Sequence, residues 1–296
     1  MASEKRRATA PGNPVRGGLG TLGGGVFRPD LWMPLVVAMA GFVLYANTIA
    51  HGYVLDDEGA ITGNPFVLEG LRGIPKIFSA GMWHFEQLDL GYYRPLPLVT
   101  FAIENEFFPG NPHVSHFGNV LLYALTGFFL CRLLMDVLPE RGPALPFVIA
   151  LLFMAHPVHT EVVANIKSRD EILAFLNLIV GMWFLLKAGR GTGIVRGRLM
   201  ASCFFFYLAL LSKESAIIGL LFMPLVVYFS SDRGLRHVLS WSVPFGTMVA
   251  IFLLHKYLVL GSISGVAPQD MVTYPYAAAD ARIPAIFMIQ IGRAHV

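Results

Sequence analysis

Leu31-Trp-Met-Pro-Leu-Val-Val-Ala-Met-Ala-Gly-Phe-Val-Leu-Tyr-Ala-Asn-Thr-Ile49 runs without a charged residue and leads, through Ala50-His-Gly-Tyr-Val-Leu55, straight into Asp56-Asp-Glu58. An apolar stretch of about 20 residues, rising 1.5 Å per residue as a helix, crosses the hydrocarbon core of a bilayer. No small-residue cleavage pattern follows Ile49, so the stretch reads as an uncleaved first helix and not as a signal peptide. Ionised groups set against such a span cost several kcal/mol at membrane depth and persist where they face a cavity and do chemistry.

The rest of the chain repeats the pattern. Of its 296 residues, 55% are hydrophobic and only 14% charged, which excludes a soluble domain with a solvated surface. Further apolar runs lie near Val114 to Leu138, Ala144 to Val163, Ile172 to Leu186, Leu199 to Leu211, Ser215 to Phe229 and Leu239 to Leu258. The predicted fold is therefore all-α, a polytopic membrane helical bundle with about seven spans. Lys5, Arg6, Arg7, Arg132, Arg141, Lys187, Arg190, Arg196, Arg198 and Arg233 all fall on one side if the N-terminus is cytoplasmic, which is the orientation the positive-inside rule favours. The acidic motifs then share the outer face.

Residues 1–30 are basic and then rich in Gly and Pro, too poor in apolar surface to order themselves, and are expected to be a disordered cytoplasmic tail. Residues 31–290 form the transmembrane domain, with a long outer loop over 51–113. Ile291-Gly-Arg-Ala-His-Val296 reads as translated sequencing-adapter DNA and is set aside, so the chain is expected to be a piece of a longer protein. Cys131 and Cys203 both fall in predicted spans and serve as small apolar residues. There is no metal-type cysteine cluster, no phosphate-cradling Gly loop and no internal repeat. The net charge of +3 is a topology signal, not a nucleic-acid footprint.

Polar residues punctuate the later spans. The stretch from Leu199 to Phe229 is too short to cross twice, which sinks Ser212-Lys-Glu214 near one boundary. In Ala155-His-Pro-Val-His-Thr-Glu161, Pro157 is expected to break or kink the helix. His156, His159 and Glu161 could face one metal if the chain turns favourably, although a histidine pair at a helix end is more often hydrogen-bonded structure. Ser168-Arg-Asp-Glu171 suits an ordinary helix entry, and with Lys167 it also supplies the cations that a phosphate binder needs at a membrane boundary. Arg94, between aromatic residues and prolines in Tyr92-Tyr-Arg-Pro-Leu-Pro97, is a further cation stiffly held.

In order, Asp56-Asp-Glu-Gly-Ala-Ile61 with Asn64, Tyr93-Arg-Pro-Leu-Pro-Leu98, His156-Pro-Val-His-Thr-Glu161 and Leu211-Ser-Lys-Glu214 resemble the transmembrane O-mannosyltransferases that carry tetratricopeptide repeats, and their bacterial relatives. The likeness covers roughly Phe42 to Tyr257. It implies the wider GT-C glycosyltransferase class, multi-helix enzymes that use polyprenyl-phosphate sugars on the outer or lumenal face. It also places Asp56, with Asp57 beside it, where those enzymes keep a catalytic acidic residue of the first outer loop.

On that likeness the chain is expected to move a mannose-like sugar from a polyprenyl-phosphate donor to a hydroxyl, of protein Ser or Thr or of a glycan, at the outer face of a bacterial inner membrane. Asp56 is the candidate base. Arg94, Lys167, Arg169 and Lys213 are the candidate donor-phosphate cations. Glu161, Asp170, His156, His159 and Glu214 are the supporting set, and either Glu161 or Asp170 holds a divalent metal or the two orient the cations. No other cofactor and no nucleic-acid partner is expected. Two rival readings are a transporter, since buried charge also marks ion pathways, and a non-catalytic membrane scaffold for repeat domains.

Overall fold

The structure, a computed structural model, describes residues 29–54, 56–86, 91–189, 194–230 and 239–263. The expected tail, apart from its last two residues, and the Ile291–Val296 segment lie outside the described residues. Among the described residues every regular element is helical. The long helices are α1 (Pro29–Tyr45, carried on by a 3-10 turn to Ala50), α5 (Pro112–Val137), α8 (Arg169–Gly189), α9 (Arg196–Ser212) and α11 (Ser242–Leu260). Shorter ones are α2 (Pro65–Leu68), α3 (Ile74–Phe78), α4 (Pro95–Phe107), α6 (Ala144–Met154), α7 (Thr160–Val163) and α10 (Gly219–Phe229). The chain is an integral, multi-pass membrane protein.

Among the described residues four helical stretches are long and apolar enough to cross a membrane: Pro29–Ala50, Pro112–Val137, Arg169–Gly189 and Ser242–Leu260. The expected single span over Ala144 to Val163 is instead two pieces bent by 49°, a broken span or a re-entrant loop. Pro157 lacks the N–H that would continue the helix, and the His156 ring accepts the Val158 N–H at 3.2 Å to start the next turn. The expected spans over Leu199 to Leu211 and Ser215 to Phe229 correspond to α9 and to a short apolar helical stretch, Glu214–Phe229. At 17 residues α9 reaches only about 26 Å. Among the described residues four full spans and a bent fifth meet the length and composition of a crossing, against the seven expected.

Helix α1 shows how a bilayer protein sorts its faces. Pro34, Val37, Gly41 and Tyr45 are buried at helical spacing, while Leu31, Leu35, Met39 and Val43 on the opposite face are exposed, a stripe that hydrocarbon covers. Gly41 and Gly127 let the Met154 side chain lie between α1, α5 and α6, since a Cβ at Gly127 would stand 2.8 Å from Met154 Cε. The main core gathers Leu178, Phe206, Leu210, Phe245 and Phe252, from α8, α9 and α11.

Ion pairs fix the helix directions. Asp30 at the start of α1 meets Arg132 near the end of α5, and Asp136 on α5 meets Lys187 at the end of α8, so these termini share one end of the bundle. His113 at the start of α5 bonds the Ile49 carbonyl through Nδ1 at 2.8 Å, which puts the loop after α1 at the other end.

That loop, the longest polar segment in the sequence, is not irregular. Helices α2, α3 and α4 fold it onto a small core of Ile61, Val67, Ile77, Met82, Leu98 and Phe101. Asn64 accepts N–H bonds from Phe66 at 3.1 Å and Val67 at 3.3 Å and caps α2. Asn64→Ala is expected to cost about 1 kcal/mol of stability, read as a downward shift in unfolding temperature.

Candidate active site

The segment after α1 is pinned by Asp57. Its side chain is fully buried, Oδ2 accepts the Val54 N–H at 2.9 Å and Oδ1 accepts the Lys167 N–H at 2.8 Å. Burial pushes the carboxyl up from its ordinary range, with the two N–H donors pulling the other way. Both oxygens are thus committed to backbone, and Asp57 ties the first loop to the turn before α8. Asp56, one residue earlier, points outward with its side chain 60% exposed, and its Oδ2 lies 4.0 Å from Lys167 Nζ.

From Lys167 a line of charge runs inward. Lys167 Nζ is 3.9 Å from Asp170 Oδ2, and the same oxygen accepts from Arg94 Nη1 at 2.7 Å. Arg94 Nε donates to Glu214 Oε2 at 2.8 Å, and Glu214 Oε1 accepts the Tyr93 N–H at 3.0 Å. Tyr92 covers the guanidinium, with its ring centroid 4.4 Å from Arg94 Cζ. Buried charges need partners on this scale, because an unpaired one costs several kcal/mol. Four segments far apart in sequence are thereby brought to one place: the first loop, the start of α4, the turn before α8 and the turn after α9.

That last turn owes its position to the end of α9. Ser212 ends α9, and Lys213 takes an extended backbone (φ −156°, ψ 136°), which aims its ammonium at the Glu171 carboxylate in a short charge-assisted bond. The Glu171 side chain is 45% exposed, so Lys213 stands at the rim of the site while Arg94 and Asp170 form its floor.

Arg169, read from the sequence as a phosphate ligand, is placed elsewhere. Its guanidinium is 1% exposed and donates to Asn119 Oδ1 (2.7 Å), Thr100 Oγ1 (3.0 Å), Glu104 Oε1 (2.6 Å) and the Ser115 carbonyl (2.7 Å). The Phe101 ring lies 4.2 Å from its Cζ. A guanidinium so engaged stitches α4, α5 and α8 together, with four of its five N–H donors spent on protein acceptors.

Glu161 is exposed on the short α7, and it is not paired with Arg169 or Lys213. His159 packs against Phe153 and Tyr123, at ring distances of 4.5 and 5.8 Å, and His156 is used as a cap. Among the described residues no three His, Cys, Asp or Glu side chains gather as metal ligands. The described residues therefore do not fit a divalent ion held by His156, His159 and Glu161.

Two residues beside the site, Lys256 and His255, were not singled out from the sequence. Lys256 of α11, 7% exposed, sits 3.9 Å from Glu214 Oε1. Next to it, His255 bridges Tyr93 and Tyr207, with Nε2 2.9 Å from the Tyr93 hydroxyl and Nδ1 3.3 Å from that of Tyr207. The Tyr93 hydroxyl donates to the Phe78 carbonyl at 2.9 Å. A Lys or His inside an otherwise apolar span was the available clue.

Among curated proteins, the chain is 37% identical to human protein O-mannosyl-transferase TMTC1 over 146 residues, 48% of this chain and 16% of that protein. It is 30% identical to Drosophila melanogaster Tmtc1 over 183 residues, 61% of this chain and 21% of that protein, and 27% identical to mouse TMTC4 over 211 residues, 64% and 28%. The matched stretch thus spans between about a sixth and a quarter of these relatives' length. No family model matches, and no solved structure matches significantly. Over the matched stretches, 48% to 64% of its length, the chain is similar to the TMTC protein O-mannosyl-transferases.

Proposed function

We propose that this chain is the membrane part of a glycosyltransferase that moves a mannose-like hexose from a polyprenyl-phosphate donor to a serine or threonine hydroxyl of a protein, on the outer face of the membrane. The reading is supported most by Asp56, an exposed carboxylate held in place by its buried neighbour Asp57 and set 4.0 Å from Lys167 at the head of a line of charge. The acceptor oxygen attacks the anomeric carbon, and its proton passes to Asp56. The bond from that carbon to the phosphate oxygen breaks, the oxygen keeps the electron pair, and polyprenyl phosphate leaves. Lys167 and Lys213 at the rim face the growing negative charge, with Arg94 behind them held by Asp170 and Glu214. The names of the relatives, protein O-mannosyl-transferases, support a protein acceptor and a mannosyl group.

The test is transfer of labelled sugar in liposomes across a panel of polyprenyl-phosphate donors and Ser- or Thr-containing peptides. Transfer is the expected result, and none across the panel would overturn the reading. Lys213→Ala is expected to keep the fold, because Glu171 can be solvated, while raising KM for the donor about tenfold or more. An unchanged donor KM would remove Lys213 from the site. The face is tested by cysteine labelling in a background lacking Cys131 and Cys203. A cysteine at Arg72 should react from outside and one at Arg141 from inside, and reaction of both from one side would refute the assignment.

A further inference from the structure

The corner Tyr92-Tyr93-Arg94, just before α4, is tied to other parts of the chain at each of its three residues. The Tyr92 carbonyl accepts the Met82 N–H at 2.9 Å. The Tyr93 N–H and Arg94 Nε take the two oxygens of the Glu214 carboxylate, and Arg94 Nη1 takes Asp170. The Tyr93 side chain is fully buried against Phe252 and His255 of α11, at ring distances of 6.4 and 5.0 Å.

The direction of each hydrogen bond in that contact follows from the protons present. A carbonyl only accepts, so the Tyr93 hydroxyl gives its one proton to the Phe78 carbonyl at 2.9 Å. Burial pushes the Tyr93 phenol above its ordinary range, which keeps that proton in place. His255 Nε2, 2.9 Å from the same hydroxyl, is then the N–H donor to it. In the neutral ring Nδ1 is left as an acceptor, and the Tyr207 hydroxyl of α9 faces it at 3.3 Å. The Phe78 ring lies within 3° of parallel to the imidazole. One residue on, Lys256 Nζ stands 3.9 Å from Glu214 Oε1, the oxygen that accepts the Tyr93 N–H. An apolar side chain would fill this part of α11 with no polar atoms to satisfy, and a satisfied hydrogen bond adds little net stability over such a residue. What the imidazole adds is direction: it fixes the Tyr93 ring to α3, α9 and α11 at once, and Arg94 is the next residue along the backbone.

We propose that His255 is a positioning residue, which by holding the Tyr93 ring sets the Arg94 guanidinium in the fork of Glu214 and Asp170, behind the cations that face the donor phosphate. The role toward phosphate rests on the transferase reading above, while the hold on Arg94 does not. The experiment treats the purified full chain in detergent with phenylglyoxal, below its unfolding temperature, and reads modification of each arginine by peptide mass spectrometry. Arg94 and Arg169, 8% and 1% exposed, should both react slowly in the unaltered chain. His255→Phe keeps a ring against Phe78 but removes both hydrogen bonds. It should speed modification of Arg94 about tenfold and leave Arg169 unchanged. Tyr93→Phe should do the same, and the double variant should add nothing to either, because both cut one link. An Arg94 that stays protected, an Arg169 that rises with it as in general loosening, or additive effects would overturn the proposal. In sugar transfer, kcat of His255→Phe should fall about tenfold or more while the donor KM changes less, since a displaced cation stabilises the leaving phosphate poorly. An unchanged kcat would sever His255 from the reaction. No transfer by the unaltered chain would instead count against the transferase reading, with the ratio of Arg94 to Arg169 labelling still deciding the hold on Arg94. If His255→Phe does not fold, Tyr93→Phe, which keeps its ring and loses only the hydroxyl, decides it by the same ratio.

Discussion

Asp56→Asn should lower the rate of sugar transfer by about 10² to 10⁴ while leaving insertion, folding and donor binding intact, because the amide keeps the shape of the carboxylate but cannot take the acceptor proton. The exposure of the side chain makes this separation of effects possible: with 60% of its surface free and a single cation 4.0 Å away, Asp56 contributes little to stability. Its neighbour should behave in the opposite way. Asp57→Asn keeps one carbonyl oxygen for two backbone N–H donors, so it should loosen the join between the first loop and Lys167 and cost stability together with activity. The measurements are turnover at saturating donor, donor affinity and unfolding temperature for each variant. Full turnover in Asp56→Asn would eliminate it as the base.

Arg169→Met should destabilise the protein by about 3–5 kcal/mol, the largest stability effect expected of any single change in the site region. The substitution keeps the aliphatic length but leaves Glu104 with only the Ser115 hydroxyl as a donor and removes the donors that satisfy Asn119 Oδ1 and the Ser115 carbonyl. Unfolding in detergent at graded temperature would show it as a large fall in midpoint or as failure to accumulate. A phosphate-binding arginine would behave differently, raising donor KM with an unchanged midpoint. That outcome would return Arg169 to the site.

The composition and the apolar runs made the fold class legible, since nothing but a bilayer accepts so few charges over such lengths. The span count was less legible. Hydropathy cannot tell a straight helix from one broken at Pro157, nor a crossing from a short helix such as α10, because both bury the same side chains in an apolar setting. Of the motif residues, Asp56, Lys167, Asp170, Arg94 and Glu214 lie along one line of charge, and Lys213 pairs with Glu171 beside it. What they could not give was which way each side chain points.

The sequence by itself determined that this is a helical, multi-pass membrane protein, that its unusual charges cluster in four short motifs, and that Pro157 interrupts a span. These are local facts, set by hydrophobic periodicity and backbone chemistry, and they survive in any packing of the helices. Only the tertiary structure decided that Asp56 is open while Asp57 is sealed, that Arg169 is spent inside while Arg94 lines the floor, and that Lys256 and His255 belong to the site. Adjacent residues such as Asp56 and Asp57, or Arg169 and Asp170, carry nearly the same sequence signal. Their roles diverge because a turn or a helix sends neighbouring side chains in different directions, and the cost of burying a charge then assigns each one whatever partner that direction offers.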